Sequence, residues 1–207
     1  VSPLPYTIKP DIRMLYNPQL KGAYNFVPGV MAMILLLVCT LMTSIAIVRE
    51  KERGTMEILL ASPLRPMVVI MAKAIPYLIL SMINIASILL LSVFVLELPI
   101  EGSLPLLIGE SILFTITSLS LGLLISSITS SQQVAMMISL VGMFLPTLMF
   151  SGFMFPIESM PFPLQVISNI VPAKWYFYIV KAVMIKGLGI EAIWKETLIL
   201  SGMTVFL

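Results

Sequence analysis

Long apolar runs constrain the fold of this chain more than any other feature. The run "PGVMAMILLLVCTLMTSIAIV", which begins at Pro28, holds 21 residues and no charged side chain. At a rise of about 1.5 Å per residue, a helix of roughly 20 apolar residues crosses the hydrocarbon core of a bilayer. The composition agrees, because 59% of the residues are hydrophobic and 11% are charged, against about 45–50% and about 25% in soluble domains. We therefore predict an integral membrane protein.

The spacing of these runs predicts an all-α fold, a polytopic bundle of transmembrane helices. Proline in the first turn of the first span costs little, since its missing N–H would have no partner there. Residues 1–27 are polar and rich in proline, and we expect them to be the end of an external domain and its junction with the transmembrane domain of residues 28–207. The predicted spans are 28–48, 75–96, 104–128, 134–155 and a truncated span, 197–207.

Residues 156–190 differ from the spans on either side. Four prolines divide the first part of this segment into pieces that are too short to cross a membrane. Trp175, Tyr176 and Tyr178 stand beside Lys174 and Lys181, a combination typical of the membrane–water interface. We therefore predict short external helices that lie on one leaflet or re-enter it.

The sequence excludes several kinds of chemistry. Histidine is absent and Cys39 is the only cysteine, so no intrachain disulfide, Cys/His zinc site or His-based triad can form. No G-x-x-x-x-G-K-[ST] loop is present, so the chain cannot hydrolyse ATP in the P-loop manner. We predict no catalytic residue, no metal and no cofactor bound by this chain.

The main block of charge, "VREKERGTMEILLASPLRP", runs from Val48 to Pro66. Its five consecutive charged residues leave no apolar face, so they must be solvated or paired with a partner. Gly54 weakens the helix, and Thr55 is a reasonable N-cap for a short helix with Glu57 in its first turn. Prolines end that helix. The segment is either a loop that only fixes orientation or a helix that docks on a partner protein.

Three stretches resemble one known family, the type-2 ABC exporter permeases. "REKERGTMEILLASPLRP" with "AKAIPYLIL" resembles the coupling segment of those permeases. "YNPQLKGAYNFVPGVMAMIL" is similar to their junction between the external domain and the second span, and "SGFMFPIESMP" with "VPAKWY" to the external segment before the last span. The three matches cover nearly the whole chain in the family's order.

The resemblance implies the C-terminal part of a six-span permease. The first span and a large external domain would precede Val1, and the sixth span would continue past Leu207. Such permeases pair as homodimers or heterodimers and bind two cytoplasmic ABC ATPase subunits, which hold ATP and magnesium. The resemblance also places segment 49–66 in the cytoplasm of a prokaryotic plasma (inner) membrane. Lys and Arg counts alone leave the orientation open, with five on one side and seven on the other.

Position by position, the resemblance assigns contact with the ATPase to thirteen residues of the coupling segment. They are Arg49, Glu50, Lys51, Glu52, Arg53, Gly54, Thr55, Met56, Glu57, Leu59, Leu60, Pro63 and Leu64.

Five residues are candidates for the transport pathway or its gating. Glu110 is the one acid within a predicted span, although its place near the acidic turn favours an interfacial carboxylate. Asn84 belongs to a polar stripe that could bind either neighbouring helices or substrate. Pro146 permits bending, and Met149 and Phe150 follow it in a Met-rich run suited to an adaptable apolar pathway.

The predicted function is that of the membrane subunit of an ATP-driven exporter, with a drug-like or lipidic cargo. An ATP-independent carrier or channel is the alternative, although no inverted repeat or charged midplane is evident. A membrane-embedded enzyme would need a Ser–Lys or carboxylate device that the sequence does not show. A non-transporting assembly or immunity factor remains a further alternative.

Overall fold

The fold is helical throughout the described chain, which in this computed structural model comprises residues 22–55, 66–98 and 100–207. Four helices are long and apolar enough to cross a membrane, so the prediction of an all-α membrane bundle is confirmed. The described α-helices are α1 (Ala23–Glu52), α2 (Pro66–Phe94), α3 (Leu104–Ile128), α4 (Gln132–Phe150), α5 (Phe162–Ser168), α6 (Pro172–Val180) and α7 (Ile190–Phe206). A 3₁₀ turn spans Ile157–Ser159, and a π-helical turn, Lys181–Ile185, continues α6.

Several helix ends differ from the predicted spans. Helix α1 begins at Ala23, so Pro28 lies inside the helix and not in its first turn. Helix α4 ends at Phe150, five residues before the predicted boundary. Gly152 explains the early end, because its φ of +84° is left-handed and stops the helix as glycine does at many helix C-termini. The apolar residues that follow it were counted with the span only because they are apolar.

Helix α1 packs against α2, α3, α4 and α6 and forms the centre of the bundle. Its buried face holds large apolar side chains at helical spacing, among them Met31 and Leu35. Below them, three small polar residues bind three different helices. Cys39 Sγ lies 2.9 Å from Ser81 Oγ of α2, Thr40 donates to the Ser118 carbonyl of α3 at 3.1 Å, and the hydroxyls of Ser44 and Ser139 of α4 are 2.9 Å apart.

Helices α1 and α3 approach each other closely at Gly122. A Cβ atom at this position would lie 2.8 Å from the Thr40 carbonyl oxygen and 2.8 Å from Thr43 Cβ. One atom belongs to the α1 backbone and the other is bonded directly to it. Neither can rotate away as the end of a long side chain can. Small residues let transmembrane helices pack at such short distances, and packing drives their association in lipid. Glycine is therefore required here by the space between two helices.

The predicted external segment is not purely interfacial. Tyr176 and Phe177 of α6 are fully or almost fully buried in the core, and Lys174 is buried as well. The Tyr176 ring stacks on Phe114 of α3 with centroids 4.2 Å apart, and its hydroxyl lies 2.7 Å from Ser111 Oγ. Because the phenol finds a polar partner inside the bundle, burying it is not penalised. Of the residues in the predicted interfacial pattern, Tyr176 and Lys174 are thus buried against other helices.

A pair of alanine substitutions on α3 tests the close approach at Gly122. Gly122→Ala should destabilise the protein by about 1–3 kcal/mol, because the added methyl must push α1 away. Gly109→Ala, on the same helix, meets nothing within 4 Å and should be neutral or stabilise by up to about 1 kcal/mol through helix propensity. Thermal or denaturant unfolding in detergent measures both. Equal effects of the two variants would contradict the proposed α1–α3 contact.

Candidate functional site

The charged end of α1, residues 49–55, contacts three neighbouring helices. Helix α1 continues to Glu52 before the chain turns at Arg53 and Gly54, whose φ is +70°. The Arg53 N–H donates to the Arg49 carbonyl at 3.2 Å, and the Gly54 N–H to that of Lys51 at 3.2 Å. Basic residues in this last turn interact favourably with the negative end of the helix dipole. Three consecutive side chains before this turn, those of Glu50, Lys51 and Glu52, face other helices.

Glu50 pairs with Lys73 of α2. The carboxylate and the ammonium form an ion pair, and both side chains are about three-quarters buried. A lysine next to an apolar run lowers its energy more by pairing with a nearby carboxylate than by exposing only its ammonium group. The pair joins the charged end of α1 to α2, whose described residues begin at Pro66.

Lys51 binds the C-terminal end of α3. Its ammonium donates to the carbonyl of Ser126 and, at 3.5 Å, to that of Thr129. The last carbonyls of a helix have no partner within the helix, and a lysine can satisfy them while its charge offsets the helix dipole. Lys51 therefore acts as a C-cap that α1 supplies to α3.

Glu52 binds the N-terminal end of α4. Its Oε1 accepts the Gln132 backbone N–H at 2.7 Å, and its Oε2 accepts the Gln132 side-chain amide. The residue before the helix, Ser131, makes no side-chain capping bond, and the first turn holds no acid. Glu52 therefore supplies from another helix the acceptor and the negative charge that a helix N-terminus ordinarily takes from its own sequence.

Sequence reasoning missed these contacts of the charged block. It expected the five charges to be solvated or bound by a partner protein, yet Glu50, Lys51 and Glu52 bind other parts of this chain. One signal was present: "SSQQ" opens α4 without an acid. Arg49 and Arg53 are exposed and line a cleft of about 990 Å³ between the ends of α1 and α2, with Thr55 and Tyr77. Among the described residues of the charged segment, these two arginines are the exposed basic side chains.

The remaining coupling candidates lie outside the described residues. They are Met56, Glu57, Leu59, Leu60, Pro63 and Leu64.

Glu110 is inside the bundle and not at its surface. Its side chain is 5% exposed, and its Oε1 accepts the hydroxyl of Thr197 of α7 at 2.8 Å. The prediction of an interfacial carboxylate was wrong about its exposure. The next residue, Ser111, binds Tyr176, so the two residues join α3 to α7 and to α6. The other carboxylate oxygen of Glu110, Oε2, is buried without a hydrogen-bond partner among the described residues.

The other pathway candidates do not form one cluster. Asn84 is half-buried on α2, where Ser81 faces α1 and Ser87 is exposed, so the predicted polar stripe points in different directions. Pro146 lies inside α4, and Phe150 lines the same apolar cavity as Pro146. Met149 is exposed on the outer side of α4. The structure therefore brings together Pro146 and Phe150 and leaves the others apart.

The described helices define a class: a polytopic helical membrane protein whose charged segment closes one end of the bundle. They contain no group of three potential metal-ligating side chains. Comparison with known families gives the particular family. A family model described as "ABC-2 type transporter" matches residues 11–185, and the chain belongs to this family. The matched part is the membrane-embedded permease domain, which has no ATPase activity of its own.

Several curated proteins are similar to this chain. It is 37% identical to the probable multidrug ABC transporter permease YbhS of Escherichia coli strain K12, over 84% of this chain and 46% of that protein. It is 32% identical to the probable multidrug ABC transporter permease YbhR, over 94% and 53%, and 34% identical to the inner membrane transport permease YhhJ, over 92% and 51%, both of the same strain. The chain thus spans about half the length of these relatives. No solved structure matches it significantly.

Removal of the Glu52 carboxylate tests its capping role. Glu52→Ala should speed hydrogen exchange severalfold in the first turn of α4, because the Gln132 N–H loses its acceptor. Glu191→Ala is the matched control, since Glu191 is an exposed acid in the first turn of α7, and its effect should stay within that helix. Hydrogen-exchange mass spectrometry on the full-length protein in detergent resolves the two regions. Unchanged exchange near Gln132 in Glu52→Ala would refute the cap.

Proposed function

We propose that this chain is part of the membrane-spanning permease of an ATP-binding-cassette exporter, and that the charged end of α1 couples it to a partner ATPase. Family membership supports the class of protein. The observation that supports the coupling role is that three consecutive residues, Glu50, Lys51 and Glu52, bind Lys73 of α2, the C-terminal end of α3 and the N-terminal end of α4. A force applied to this segment is thus transmitted to three membrane-crossing helices by direct contacts.

In the proposed mechanism, ATP binding closes two cytoplasmic ATPase subunits that carry ATP and magnesium. Their movement shifts segment 49–66, including the short docking helix expected near Thr55. The shift passes to the neighbouring helices through the three bound residues, and the bundle tilts to open the pathway outward. This is coupling between two sites through rigid elements with discrete arrangements. No covalent chemistry takes place in this chain.

The exposed arginines suit the contact with an ATPase. Arg49 and Arg53 carry two positive charges at the rim of the cleft between α1 and α2, whereas the acids beside them are bound within the chain. A partner surface with carboxylates or exposed helix C-termini would complement them. We place this surface on the cytoplasmic side of an inner membrane, in line with the name of the relative YhhJ. We also propose that a second permease copy completes the pathway.

The cargo we propose is an apolar, drug-like or lipidic compound. The names of YbhS and YbhR describe those proteins as probable multidrug permeases. Proteins of one fold carry different cargoes. The argument for this chain therefore rests on the apolar side chains of its own helices.

Deletion of residues 54–63 in the full-length protein tests the docking surface. We expect an ABC ATPase to co-purify with the wild-type permease and to be lost from the variant, while the permease still elutes as a folded species. Retention of the ATPase by the variant would contradict the docking role. Transport that continues without any nucleotide would overturn the exporter function and favour an ATP-independent carrier.

A charge swap tests transmission through the Glu50–Lys73 pair. Glu50→Lys and Lys73→Glu should each lower ATP-dependent transport about fivefold, because each places like charges together, and the double variant should recover most of the loss. Lys195→Glu, an exposed site on α7, is the control and should change little. Transport and ATP hydrolysis are measured together in proteoliposomes. If both single variants transport normally, or the double variant is no better than either, transmission through this pair is excluded.

A further inference from the structure

Glu110 is the one acid within a predicted span, and its surroundings do not suit a charge. Its side chain is 5% exposed, and its Oε2 is buried without a hydrogen-bond partner among the described residues. Its Oε1 accepts the hydroxyl of Thr197 on α7 at 2.8 Å. No basic side chain in the described part of the chain forms an ion pair with it. The hydrogen bonds to this carboxyl group thus come from one neutral hydroxyl.

That hydroxyl is shared with a second acceptor. Thr197 Oγ1 also lies 3.0 Å from the carbonyl oxygen of Ile193, one turn earlier on α7. A hydroxyl has a single proton to donate, so the proton of Thr197 is divided between the carboxyl group and the backbone carbonyl. Glu110 therefore receives at most one hydrogen bond, and that bond is neutral.

The neighbouring hydroxyls on this side of α3 are already engaged. Ser111 donates to the carbonyl of Leu107 at 2.7 Å, and the hydroxyl of Tyr176 lies 2.7 Å from Ser111 Oγ. Because the Ser111 proton is directed at Leu107, the Tyr176 proton is the one that joins the two hydroxyls. Neither hydroxyl has a proton left for the second oxygen of Glu110.

The acids of the charged segment show what a carboxyl group receives elsewhere in this protein. Glu50 is paired with Lys73, and Glu52 accepts both the backbone N–H and the side-chain amide of Gln132 at an exposed position. A buried carboxylate loses its hydration, and without a cation or several donors the group takes up a proton and becomes neutral. Glu110 has neither kind of compensation among the described residues.

We infer that Glu110 is a proton-binding site, at which the carboxyl group holds a proton at neutral pH and lies between α3 and α7 as a neutral acid. The proton is the ligand of this site. It removes a charge that two apolar helices in a membrane would accommodate only at high cost, and it leaves one oxygen to accept the hydroxyl of Thr197. The inference goes beyond the proposed export function and does not depend on it.

Other titratable groups stand on the helices that pack against α3. Tyr176 of α6 is already bound to Ser111. The charged end of α1 lies at the opposite end of α3, where Lys51 binds the carbonyl of Ser126. Glu196 precedes Thr197 on α7, and its Oε2 is also buried without a partner among the described residues. Glu196 is therefore the competing place for a proton, and the experiment must distinguish the two acids.

Infrared spectroscopy detects the proton directly, because the carbonyl stretch of a carboxylic acid is separate from the bands of a carboxylate and shifts in heavy water. The full-length permease is measured at neutral pH in a maltoside detergent, which has no carbonyl group. Glu110→Gln keeps the size of the side chain and should remove one carboxylic-acid band. Glu191→Gln is the control at an exposed acid in the first turn of α7, and it should remove carboxylate absorbance only.

A variant of the partner tests the hydrogen bond. Thr197→Val keeps the shape and removes the donor, so the carboxylic-acid band should remain and move to a higher wavenumber. Loss of packing alone would leave the band in place. Thermal unfolding verifies that each variant is folded, and Glu110→Gln should unfold at the same temperature as the wild type, since a neutral group replaces a neutral group.

Each remaining outcome decides the inference. A carboxylic-acid region that Glu110→Gln leaves unchanged means that Glu110 is ionised, and a higher unfolding temperature of that variant would agree, because a buried charge would have been removed. A band that only Glu196→Gln removes assigns the proton to Glu196. Both results overturn the inference. If Glu110→Gln does not fold, the wild type decides: a carboxylic-acid band that persists in Glu196→Gln supports the site, and its absence refutes it.

Discussion

The unpaired backbone groups at helix ends are the constraint on which this bundle depends. Each helix leaves several N–H groups at its start and several carbonyls at its finish, and near a membrane these groups cannot rely on water throughout. The chain satisfies one set from a neighbouring helix: Lys51 binds the carbonyls at the end of α3, and Glu52 binds the N–H at the start of α4. One turn of α1 thereby fixes both sides of the α3–α4 connection. The charges that looked solvated in the sequence are structural contacts.

The same constraint explains how polar residues are tolerated deeper in the bundle. Most described hydroxyls on the spans donate to a carbonyl of their own helix, which removes the cost of burial but contributes little between helices. Several hydroxyls bind another helix instead or in addition, and two of these belong to Thr40 and Ser44. They lie within one turn of each other on α1, next to the close approach at Gly122. Small and polar residues therefore hold α1 at the centre, where apolar packing against lipid-like neighbours provides little preference.

The sequence predicts the membrane class, the helical architecture and the family well, because these follow from long apolar runs and from ordered motifs. Individual contacts were less predictable, since they depend on how helices meet. Lys73 stands beside an apolar run, as lysines that extend to lipid headgroups do. It forms an ion pair only because Glu50 lies opposite it in the fold. Tyr176 stands beside a lysine, as aromatic residues at the membrane interface often do. Its burial is tolerated because its hydroxyl forms a hydrogen bond with Ser111. Glu110 is similar, because its place near a turn suggested contact with solvent, whereas its Oε1 accepts the hydroxyl of Thr197 and its Oε2 is buried without a partner in the described chain.

The coupling site and the apolar cavity beside Pro146 meet on α4, and this connection gives the helix its place in the proposed mechanism. Its first residue, Gln132, is held by Glu52, so displacement of the charged segment acts on that end. Its middle is anchored to α1 through Ser139, and beyond that anchor Pro146 interrupts the backbone bonding. Sharp helix kinks occur at proline, so Pro146 is the position where α4 bends most readily. The cavity lies at that interruption. The cavity and the contact with the charged segment therefore lie on one helix, as the coupling proposed for this segment requires.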